Sequence, residues 1–281
     1  MSIAVSGASG FLGRHVVPAL LAQGAQVTAL LRPEREVPPW LAGCAIARMD
    51  LAAPPDDAFA RLGEPETLVH LAWQGLPNYR SLHHFESELG TQYRFLRTLV
   101  AGGLRHLVVT GTCFEYGFQS GPLSEAGSAE PANPYGFAKD SLRRQLDYLR
   151  QTLPFGLAWA RLFYMYGEGQ AANSLLPQLD RAIAEGRARF DMSGGEQLRD
   201  YLPVEDVAGI LSRLAVGRAD CGVVNVCAGR PLAVRTLVER AIAARGARIA
   251  LNLGHYPYPD YEPMAFWGDR TKLDRILSSL T

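Results

Sequence analysis

The sequence predicts an α/β protein in which helices cover both faces of a doubly wound parallel sheet. Apolar stretches alternate with helical stretches of ten or more residues as far as Phe163, which is the pattern of strands joined by crossover helices. Residues 67–72 have the apolar character of a central parallel strand. A glycine-rich turn joins the first apolar stretch to the first helix. We therefore expect ligands at the carboxyl ends of the strands.

The glycine-rich turn lies between residues 3–5, a predicted strand, and residues 11–23, a predicted helix. Gly7, Gly10 and Gly13 have the spacing G-x-x-G-x-x-G. In such a unit the first glycine permits a tight turn and the second lets backbone N–H groups approach a pyrophosphate. The third lets the helix lie close to the sheet. This context predicts a dinucleotide site, and a tight turn without a ligand is the alternative.

The other elements follow in chain order. Further strands are predicted at residues 25–31, 44–48, 67–72, 105–110 and 156–162, and helices at residues 56–62, 85–100 and 134–151. Beyond Phe163 the alternation loosens, with helices predicted at 174–185, 204–217 and 232–244 and a strand at 223–226. We predict a dinucleotide-binding domain at residues 1–163, with returning segments at about 199–228 and 264–281. A smaller C-terminal substrate lobe would comprise residues 164–198 and 229–263.

Composition restricts the class of protein. The chain has 281 residues, of which 48% are apolar, and a formal net charge of zero. It can therefore bury a sizeable core, and neither disorder nor a nucleic-acid surface is indicated. Its four cysteines lack metal-ligand spacing, so we expect reduced thiols and no metal site. No leader-like segment and no membrane-spanning run is recognisable, which predicts a cytoplasmic protein without membrane contact.

A second motif begins the helix predicted from Pro134. Asn133 is a good N-cap and proline suits the first helical position, so Tyr135 and Lys139 fall one turn apart on the same face. An ammonium group and a helix N-terminus near the phenol would lower the pKa of Tyr135. Such a tyrosine exchanges protons with an alcohol or carbonyl. A surface tyrosine beside a solvated lysine is the alternative.

Further motifs accompany this pair. Thr112 follows the strand predicted at residues 105–110. Two further characteristic segments lie at residues 161–167 and 195–201. With the glycine turn, this combination resembles the extended short-chain dehydrogenase/reductase family of nucleotide-sugar enzymes, also described as the NAD-dependent epimerase/dehydratase family. The resemblance covers nearly the whole chain and implies a Rossmann domain.

The resemblance implies roles for particular residues. Thr112 would hydrogen-bond the reacting sugar oxygen, Tyr135 would be the acid/base, and Lys139 would hold the nicotinamide ribose. Arg199 would hold the phosphates of the sugar nucleotide, and a surface ion pair with Glu196 or Asp200 is its alternative. The predicted cofactor-binding residues are Gly7, Ser9, Gly10, Phe11, Leu12, Gly13, Arg32, Asp50, Leu51, Leu71, Ala72, Tyr135 and Lys139. The predicted substrate-binding residues are Trp73, Thr112, Cys113, Phe114, Tyr164 and Arg199.

Departures from the family pattern narrow the chemistry. Members that dehydrate a hexose at carbons 4 and 6 carry Asp-Glu after the catalytic Ser/Thr, where this chain has Cys113 and Phe114. Phenylalanine cannot abstract a proton, so 4,6-dehydration is not expected. Glu115 should point away from Thr112 because side chains alternate along a strand end, and we predict a structural role for it. Tyr164 replaces an asparagine of the family, which leaves its contact with phosphate open.

Cofactor choice depends on the residue that ends the second strand. An acidic residue there favours NAD, and an arginine favours the 2′-phosphate of NADP. This chain has Arg32, followed by Arg35, so NADP(H) is favoured. NAD(H) stays possible because Glu34 and Glu36 are close. Asp50, after the third strand, would contact the adenine amino group or simply cap the following loop.

The resemblance and these departures predict a reductase that uses NADPH and a nucleotide-linked 4-keto-6-deoxyhexose, in the synthesis of cell-surface deoxysugars. The alternatives are a nucleotide-sugar 4-epimerase that retains NAD and a dinucleotide-sensing protein without catalysis. The same triad serves both enzymes, so it does not separate them. Residues 85–100 and 134–151 match helices that pair between subunits in the family, which implies a homodimer.

Overall fold

The computed structural model describes residues 1–280 as an α/β protein. Its helices are α1 (Phe11–Ala22), α2 (Ala58–Arg61), α3 (Leu89–Gly102), α4 (Pro134–Leu149), α5 (Leu175–Ala184), α6 (Val204–Val216), α7 (Val234–Ala244) and α8 (Thr271–Ser279). Its strands are β1 (Ser2–Ser6), β2 (Gln26–Leu31), β3 (Ala45–Arg48), β4 (Thr67–His70), β5 (His106–Thr112), β6 (Gly121–Leu123), β7 (Gly156–Leu162), β8 (Tyr164–Tyr166), β9 (Arg189–Asp191), β10 (Leu198–Pro203), β11 (Gly222–Val226), β12 (Pro231–Ala233), β13 (Ala250–Asn252) and β14 (Phe266–Gly268).

Seven parallel strands form the main sheet, in the order β11-β7-β5-β4-β1-β2-β3. The chain runs outward from β1 in one direction and then returns to begin β4 on the other side of β1. The two halves therefore diverge between β1 and β4, which opens a crevice at the carboxyl ends of these strands. This doubly wound parallel sheet confirms the predicted fold class.

Apolar side chains cover both faces of this sheet. Ile3 and Val5 of β1 belong to a core with α1, α6 and α8, whereas Ala4 belongs to a core with α2, α3 and α4. Successive strand residues face opposite sides, so a strand that is apolar at every position requires helices on both faces. Because β1 is buried on both faces, its place in the sheet is fixed. The turn that leads from its last residue to α1 therefore starts from a fixed point.

A separate apolar cluster lies in the C-terminal part of the chain. It joins α5, α7 and β9 through buried side chains that include Leu179, Phe190 and Val238. Next to it, β10 pairs with β8 and β12 in a small sheet. The division into a dinucleotide-binding domain and a substrate lobe at the stated residue limits stays a prediction. Thr281, the last residue of the predicted segment 264–281, lies outside the described residues.

Several elements differ from the sequence prediction. The helix predicted at residues 56–62 is a single turn, and the strand predicted at 67–72 ends at His70. A π-helical turn at His84–Glu88 precedes α3. The strands β6, β8, β9, β12, β13 and β14 have three residues each, and each pairs with a distant segment. Local periodicity in the sequence cannot reveal strands that are so short. Among residues 1–280, none of the helices is long and apolar enough to cross a membrane.

Candidate active site

The glycine turn after β1 is shaped by a close approach of two backbone segments. Gly7 has a φ of 73°, in the region that favours glycine. A Cβ atom on Gly7 would lie 2.8 Å from the backbone nitrogen of Ala72 and 2.9 Å from the carbonyl carbon of Leu71. The turn is therefore pressed against the segment that follows β4, so predicted cofactor residues from two strands meet at the crevice.

The same turn starts α1 without a side-chain cap. The Arg14 N–H donates to the Gly10 carbonyl at 3.0 Å, and Gly10, the N-cap, offers no side-chain hydrogen bond. The N–H groups of Phe11, Leu12 and Gly13 are those that a helix start leaves without main-chain partners. A Cβ atom on Gly13 would lie 2.4 Å from the Ala8 carbonyl oxygen. The helix thus lies against the turn, and its positive end faces the crevice.

These features fit a dinucleotide. The uncapped helix start offers N–H donors to a pyrophosphate, and the crevice lies at the strand-order reversal. Ser9 lies half-buried within the turn. The backbone of residues 71–72 forms the opposite side of the turn.

The ends of β2 and β3 carry the predicted adenosine-side residues. Arg32 is exposed directly after β2, and its side chain forms no hydrogen bond or ion pair within residues 1–280. Arg48 donates to the carbonyls of Arg32, Pro33 and Arg35, which fixes the loop. Asp50 is exposed and accepts a hydrogen bond from the Ala52 N–H at 2.9 Å, which agrees with its alternative role as a cap of the following loop. Leu51 is half-buried beside it.

Thr112 ends β5 and caps the short 3₁₀ turn that follows. Its hydroxyl accepts from the Phe114 N–H at 3.3 Å. The Glu115 carboxylate accepts from the Thr112 N–H at 2.8 Å and from Trp159, and it pairs with Arg161 at 2.6 Å. These contacts engage both carboxylate oxygens of Glu115 with partners inside the protein. They agree with the structural role that the sequence predicts for it.

Tyr135 and Lys139 lie on the same face of α4, as predicted. The Asn133 side chain accepts from the Gly136 N–H at 2.8 Å, which confirms the predicted N-cap. The Lys139 Nζ donates to the Thr110 carbonyl at 2.8 Å, so the ammonium group lies against β5. The Thr112 hydroxyl lies close enough to Tyr135 to lower the pKa of its phenol. Two sequence motifs more than 20 residues apart thus meet at one edge of the sheet.

The electrostatics of this pair differ from the prediction. Burial raises the pKa of the Tyr135 phenol above its ordinary value, the nearby Tyr79 adds to the rise, and the proximity of Thr112 partly offsets it. Burial also lowers the pKa of Lys139 to about 7. The prediction that Lys139 lowers the pKa of Tyr135 is therefore wrong, because desolvation of the phenolate outweighs an ammonium that is itself desolvated.

A segment after β4 covers Tyr135. In this first cover segment, residues 73–84, the Trp73 ring lies 4.0 Å from the Lys139 Nζ and packs edge-on against Tyr135 at 5.9 Å. The Trp73 indole N–H donates to the His84 Nδ1 at 3.1 Å, and the His84 Nε2 donates to the Asn78 carbonyl at 2.8 Å. The Trp73 indole can only donate, so these bonds select the Nε2–H tautomer of neutral His84.

A second cover segment, residues 255–264, meets the first above Tyr135. The Tyr79 ring lies 5.6 Å from Tyr135, 4.8 Å from Phe114 and 6.4 Å from Tyr261. Arg80 pairs with Asp260 across the two segments and lies over the Tyr261 ring. Aromatic rings therefore surround the catalytic candidate, which is only 8% exposed.

Arg199 lies at the base of the second cover segment. Its guanidinium pairs with Glu262 at 2.7 Å, donates to the Leu198 and Met264 carbonyls, and packs on a buried ring, Phe266. Tyr164 donates its hydroxyl to the same Glu262 carboxylate. The ion-pair partners that the sequence suggested, Glu196 and Asp200, are wrong, because Asp200 accepts backbone N–H groups and Glu196 accepts from Tyr258. Whether Arg199 also binds phosphate stays a prediction.

The arrangement brings a phenol, a hydroxyl and an ammonium to the end of β5, beside a turn that fits a dinucleotide. Such a set can donate a proton to an oxygen and hold a ribose. Cys113 is buried, and burial raises the pKa of its thiol, so it is not a nucleophile here. No group of residues within 1–280 has the composition of a metal site.

Sequence reasoning missed two residues of this region. Neither His84 nor Glu262 is among the site residues that the sequence predicts. Each acts through a partner: His84 through Trp73, and Glu262 through Arg199 and Tyr164. A carboxylate within a tyrosine- and proline-rich segment was the available signal for Glu262, and no local pattern marked His84.

Comparisons with known proteins indicate the same family as the motifs of this site. A family model described as "NAD dependent epimerase/dehydratase family" matches residues 3–227. The chain is 32% identical over 270 residues to "dTDP-6-deoxy-L-talose 4-dehydrogenase (NAD(+))" of Aggregatibacter actinomycetemcomitans, covering 95% of this chain and 99% of the relative. It is 29% identical over 270 residues to "dTDP-6-deoxy-L-talose 4-dehydrogenase (NAD(P)(+))" of Kitasatospora kifunensis, covering 92% and 83%. Among solved structures, "MoeE5 in complex with UDP-glucuronic acid and NAD" superposes with a TM-score of 0.82 at 27% identity, covering 99% and 93%.

The family match spans most of the chain, and the first of these relatives covers nearly all of it. The site that carries the family motifs lies where a doubly wound sheet binds its ligands. The chain therefore belongs to the NAD-dependent epimerase/dehydratase family and is an oxidoreductase-type enzyme of the extended short-chain dehydrogenase/reductase class.

Proposed function

We propose that this protein reduces the 4-keto group of a nucleotide-linked 4-keto-6-deoxyhexose. The observation that carries the proposal is the meeting of Thr112, Tyr135 and Lys139 beside the glycine turn. Two of the relatives named above are called 4-dehydrogenases of a dTDP-6-deoxyhexose, and reduction at C4 is the reverse of that reaction. Phe114 stands where a dehydratase needs a base, which supports a reaction confined to C4.

Each residue has a separate task in this reaction. Tyr135 donates its phenol proton to the oxygen at C4, and the Thr112 hydroxyl hydrogen-bonds the same oxygen. Lys139 holds the nicotinamide ribose from its position against the Thr110 carbonyl. A bound nicotinamide would supply the hydride that C4 requires. The phenol of Tyr135, whose pKa is raised by burial, carries its proton near neutral pH and can donate it to the oxygen at C4.

The test uses purified protein, NADPH or NADH, and dTDP-linked 4-keto-6-deoxyhexoses of both configurations at C5. Reduction removes the near-ultraviolet absorbance of the reduced cofactor in proportion to the ketosugar added. Absence of any loss with every such ketosugar contradicts the proposal.

The second candidate is a nucleotide-sugar 4-epimerase that retains NAD. It would use the same three residues, and the solved relative named above contains a nucleotide sugar together with NAD. An epimerase needs no added reductant, because it returns the hydride to the same sugar. Copurified NAD together with turnover in the absence of NADPH would favour this candidate. A sensor without catalysis is less favoured because both Tyr135 and Lys139 are present.

We propose NADP(H) as the preferred cofactor and NAD(H) as a possible one. The exposed Arg32 side chain, without a partner within residues 1–280, is available to a 2′-phosphate, and Glu34 and Glu36 form no ion pair with it. Arg32→Ala should lower kcat/KM with NADPH by about tenfold, the effect of one lost charged contact, and leave the value with NADH unchanged. Equal losses with both cofactors would contradict this role.

For the substrate, we propose Arg199 and Tyr164 as the phosphate side and Trp73, Cys113 and Phe114 as the sugar side. Arg199 and Tyr164 both hold Glu262, so the diphosphate would take the place of that carboxylate. Removing the carboxylate by Glu262→Gln should therefore tighten binding of dTDP. Weaker binding would show that Glu262 supports the pocket and does not compete for it.

We also propose a homodimer through residues 85–100 and 134–151, and a cytoplasmic location. The exposed rings of Phe85 and Phe137 pack edge-on at 5.8 Å on this face. All four cysteines are free thiols, which supports a reducing compartment. Sedimentation that gives a monomer at micromolar concentration would contradict the dimer.

A further inference from the structure

One buried carboxylate close to the catalytic candidates has no task in the mechanism above. Glu88 ends the π-helical turn that precedes α3, and it is only 2% exposed. A carboxylate is costly to bury unless charges or hydrogen bonds compensate it. Single π-helical turns, moreover, occur frequently at functional sites. The contacts of Glu88 therefore indicate what the carboxylate does.

Glu88 is tied to the first cover segment. Its Oε1 accepts from the Gln74 N–H at 2.8 Å and from the Gln92 side-chain amide at 2.6 Å. Gln74 follows Trp73 directly, and the Trp73 ring lies 4.0 Å from the Lys139 Nζ. The turn that Glu88 ends also packs against α4, the helix that carries Lys139. Glu88 thus lies next to the groups that enclose the ammonium.

Among residues 1–280, no arginine pairs with Glu88. Its Oε2 lies 3.7 Å from the His83 Nε2, and the His83 side chain is 42% exposed, so solvent weakens this contact. Glu115, the other carboxylate that acts on Lys139, is paired with Arg161 at 2.6 Å inside the protein. Because a paired carboxylate acts as part of a dipole, the charge of Glu88 is the less compensated of the two.

Burial opposes the charge that Lys139 carries. It lowers the pKa of the ammonium to about 7, and the carboxylates of Glu115 and Glu88 partly offset this fall. Near neutral pH, a change of one unit in this pKa alters the charged fraction several-fold. The charge matters to the reaction, since a nearby ammonium stabilises the phenolate that forms when Tyr135 gives up its proton.

The other titratable groups that face Lys139 keep one charge state at pH 7 and above. Burial lowers the pKa of His70 on β4 to about 3, and it also lowers the pKa of His84 in the first cover segment. Burial raises the pKa of the Tyr135 phenol. Both imidazoles are therefore neutral and the phenol is protonated. Lys139 is thus the member of this cluster whose charge changes near pH 7.

We infer that Glu88 is a positioning residue of the proposed reaction: its carboxylate keeps Lys139 charged at neutral pH, and its hydrogen bond to the Gln74 N–H holds the preceding indole ring over the ammonium. The inference rests on the roles proposed above for Tyr135 and Lys139. Glu88 acts through Lys139 and takes no part in proton transfer itself. Removal of its charge should therefore change a pH profile, which loss of packing alone would not do.

The test observes the Lys139 amine directly. Lys139 and Lys272 are the two lysines of the sequence, so protein labelled with ¹³C at lysine Cε gives two side-chain NMR signals. Lys139→Met removes one signal and thereby assigns both. The cofactor-free enzyme is titrated between pH 5 and pH 9, and the Lys272 signal, which should be the same in all variants, is the internal control.

Three variants separate the charge of Glu88 from its hydrogen bonds. Glu88→Gln keeps an oxygen that accepts both N–H groups, and it should lower the titration midpoint of Lys139 by about one pH unit, the effect of one nearby charge. Glu88→Asp retains the charge and should lower the midpoint by less than half as much. His83→Arg places a cation against the Glu88 Oε2 from the exposed side, and it should also lower the midpoint without altering the interior.

The pH dependence of turnover gives a second readout. In ketosugar reduction, Glu88→Gln should lower kcat about fivefold at pH 7, because a midpoint one unit lower leaves about a tenth of Lys139 charged instead of about half. The loss should shrink to about twofold at pH 6, where more of the amine is charged. A displaced Trp73 ring alone would lower kcat equally at both pH values.

The outcomes are distinct. Circular dichroism shows whether Glu88→Gln folds. If it folds, an unchanged Lys139 midpoint, or a loss of kcat that is equal at pH 6 and pH 7, overturns the inference. If it does not fold, an unchanged midpoint in His83→Arg overturns it. The NMR titration needs neither sugar nor cofactor, so a midpoint that moves as expected in an enzyme that reduces no ketosugar would refute the proposed function and leave the effect of Glu88 on Lys139 in place.

Discussion

The floor of the candidate site is built from backbone at the sheet edge, whereas its cover is held by side chains from distant segments. In the floor, Gly7 and Gly13 approach other backbone atoms so closely that a Cβ atom would collide. In the cover, contacts such as Tyr164 with Glu262 join residues 98 positions apart. The comparison teaches that cofactor binding and sugar selection depend on different kinds of interaction and should respond differently to substitution.

The largest effect is expected at Tyr135, where floor and cover meet. Tyr135→Phe removes the proton donor and should lower kcat by about 10³-fold, within the range for general acid catalysis. The NADPH dissociation constant should change little, because the floor is intact. Steady-state kinetics and cofactor fluorescence measure both.

Tyr148 gives the matched control for this change. It lies on the same helix and is 72% exposed, so Tyr148→Phe should retain full activity. Unchanged turnover in Tyr135→Phe would contradict the mechanism for both enzyme candidates.

A methyl group on the floor should weaken cofactor binding. Gly13→Ala places a Cβ atom 2.4 Å from the Ala8 carbonyl oxygen, which should cost about 1–3 kcal/mol of unfolding free energy and weaken NADPH binding. Gly209→Ala is the control, because this helical glycine has open space around its Cβ position. It should stabilise the protein by about 0.5–1 kcal/mol. Equal behaviour of the two variants would show that the turn is not tightly packed.

The lowered pKa of Lys139 predicts that the stability of the protein depends on pH. Its pKa is lowered from 10.5 to about 7 by burial, so between these values the unfolded chain binds a proton that the folded chain does not. Wild-type stability should therefore rise as pH increases from 7 toward 10. Lys139→Met lacks this contribution and should be more stable than wild type at pH 7, by a margin that shrinks toward pH 9.

Urea unfolding at pH 7, 8 and 9 measures that margin. A constant difference between Lys139→Met and wild type would mean that Lys139 keeps its ordinary pKa. The burial of an ammonium group beside Trp73 would then not carry an electrostatic penalty.

The smallest effect is expected in the cover. His84→Leu leaves the Trp73 N–H and the Asn78 carbonyl without their partners, which should cost about 1–3 kcal/mol and lower kcat about tenfold through a displaced Trp73. His84→Gln offers a donor and an acceptor side by side and should restore activity to within about threefold.

The neighbouring His83 gives a control, since it binds Ser87 and does not contact Trp73. His83→Gln should behave as wild type. A loss in His84→Gln as large as that in His84→Leu would contradict the positioning role of the imidazole.

The floor could be predicted from the sequence because its signals are local. Glycine spacing, a strand before it, and an Asn-Pro helix start each lie within about ten residues, and they gave the turn, Tyr135 and Lys139 correctly placed on their elements. The direction of the Tyr135 pKa could not be predicted, since it depends on burial by Tyr79 and other residues from outside α4.

The cover could not be predicted for a related reason. Glu262 meets Arg199, and Arg80 meets Asp260, only after the sheet has folded. The short strands β6 and β14 exist only through their pairing with each other. Single residues that act through distant partners leave no periodicity or spacing in the sequence.

The most direct test of the account follows the hydride. Wild type is given a dTDP-4-keto-6-deoxyhexose and NADPH that carries deuterium at both positions of the nicotinamide C4, and the product is analysed by mass spectrometry and proton NMR. The account predicts one deuterium per product molecule, located at C4 of the sugar, with incorporation by Tyr135→Phe slowed about 10³-fold under the same conditions. Deuterium at any other carbon, or a sugar product without deuterium, would contradict it.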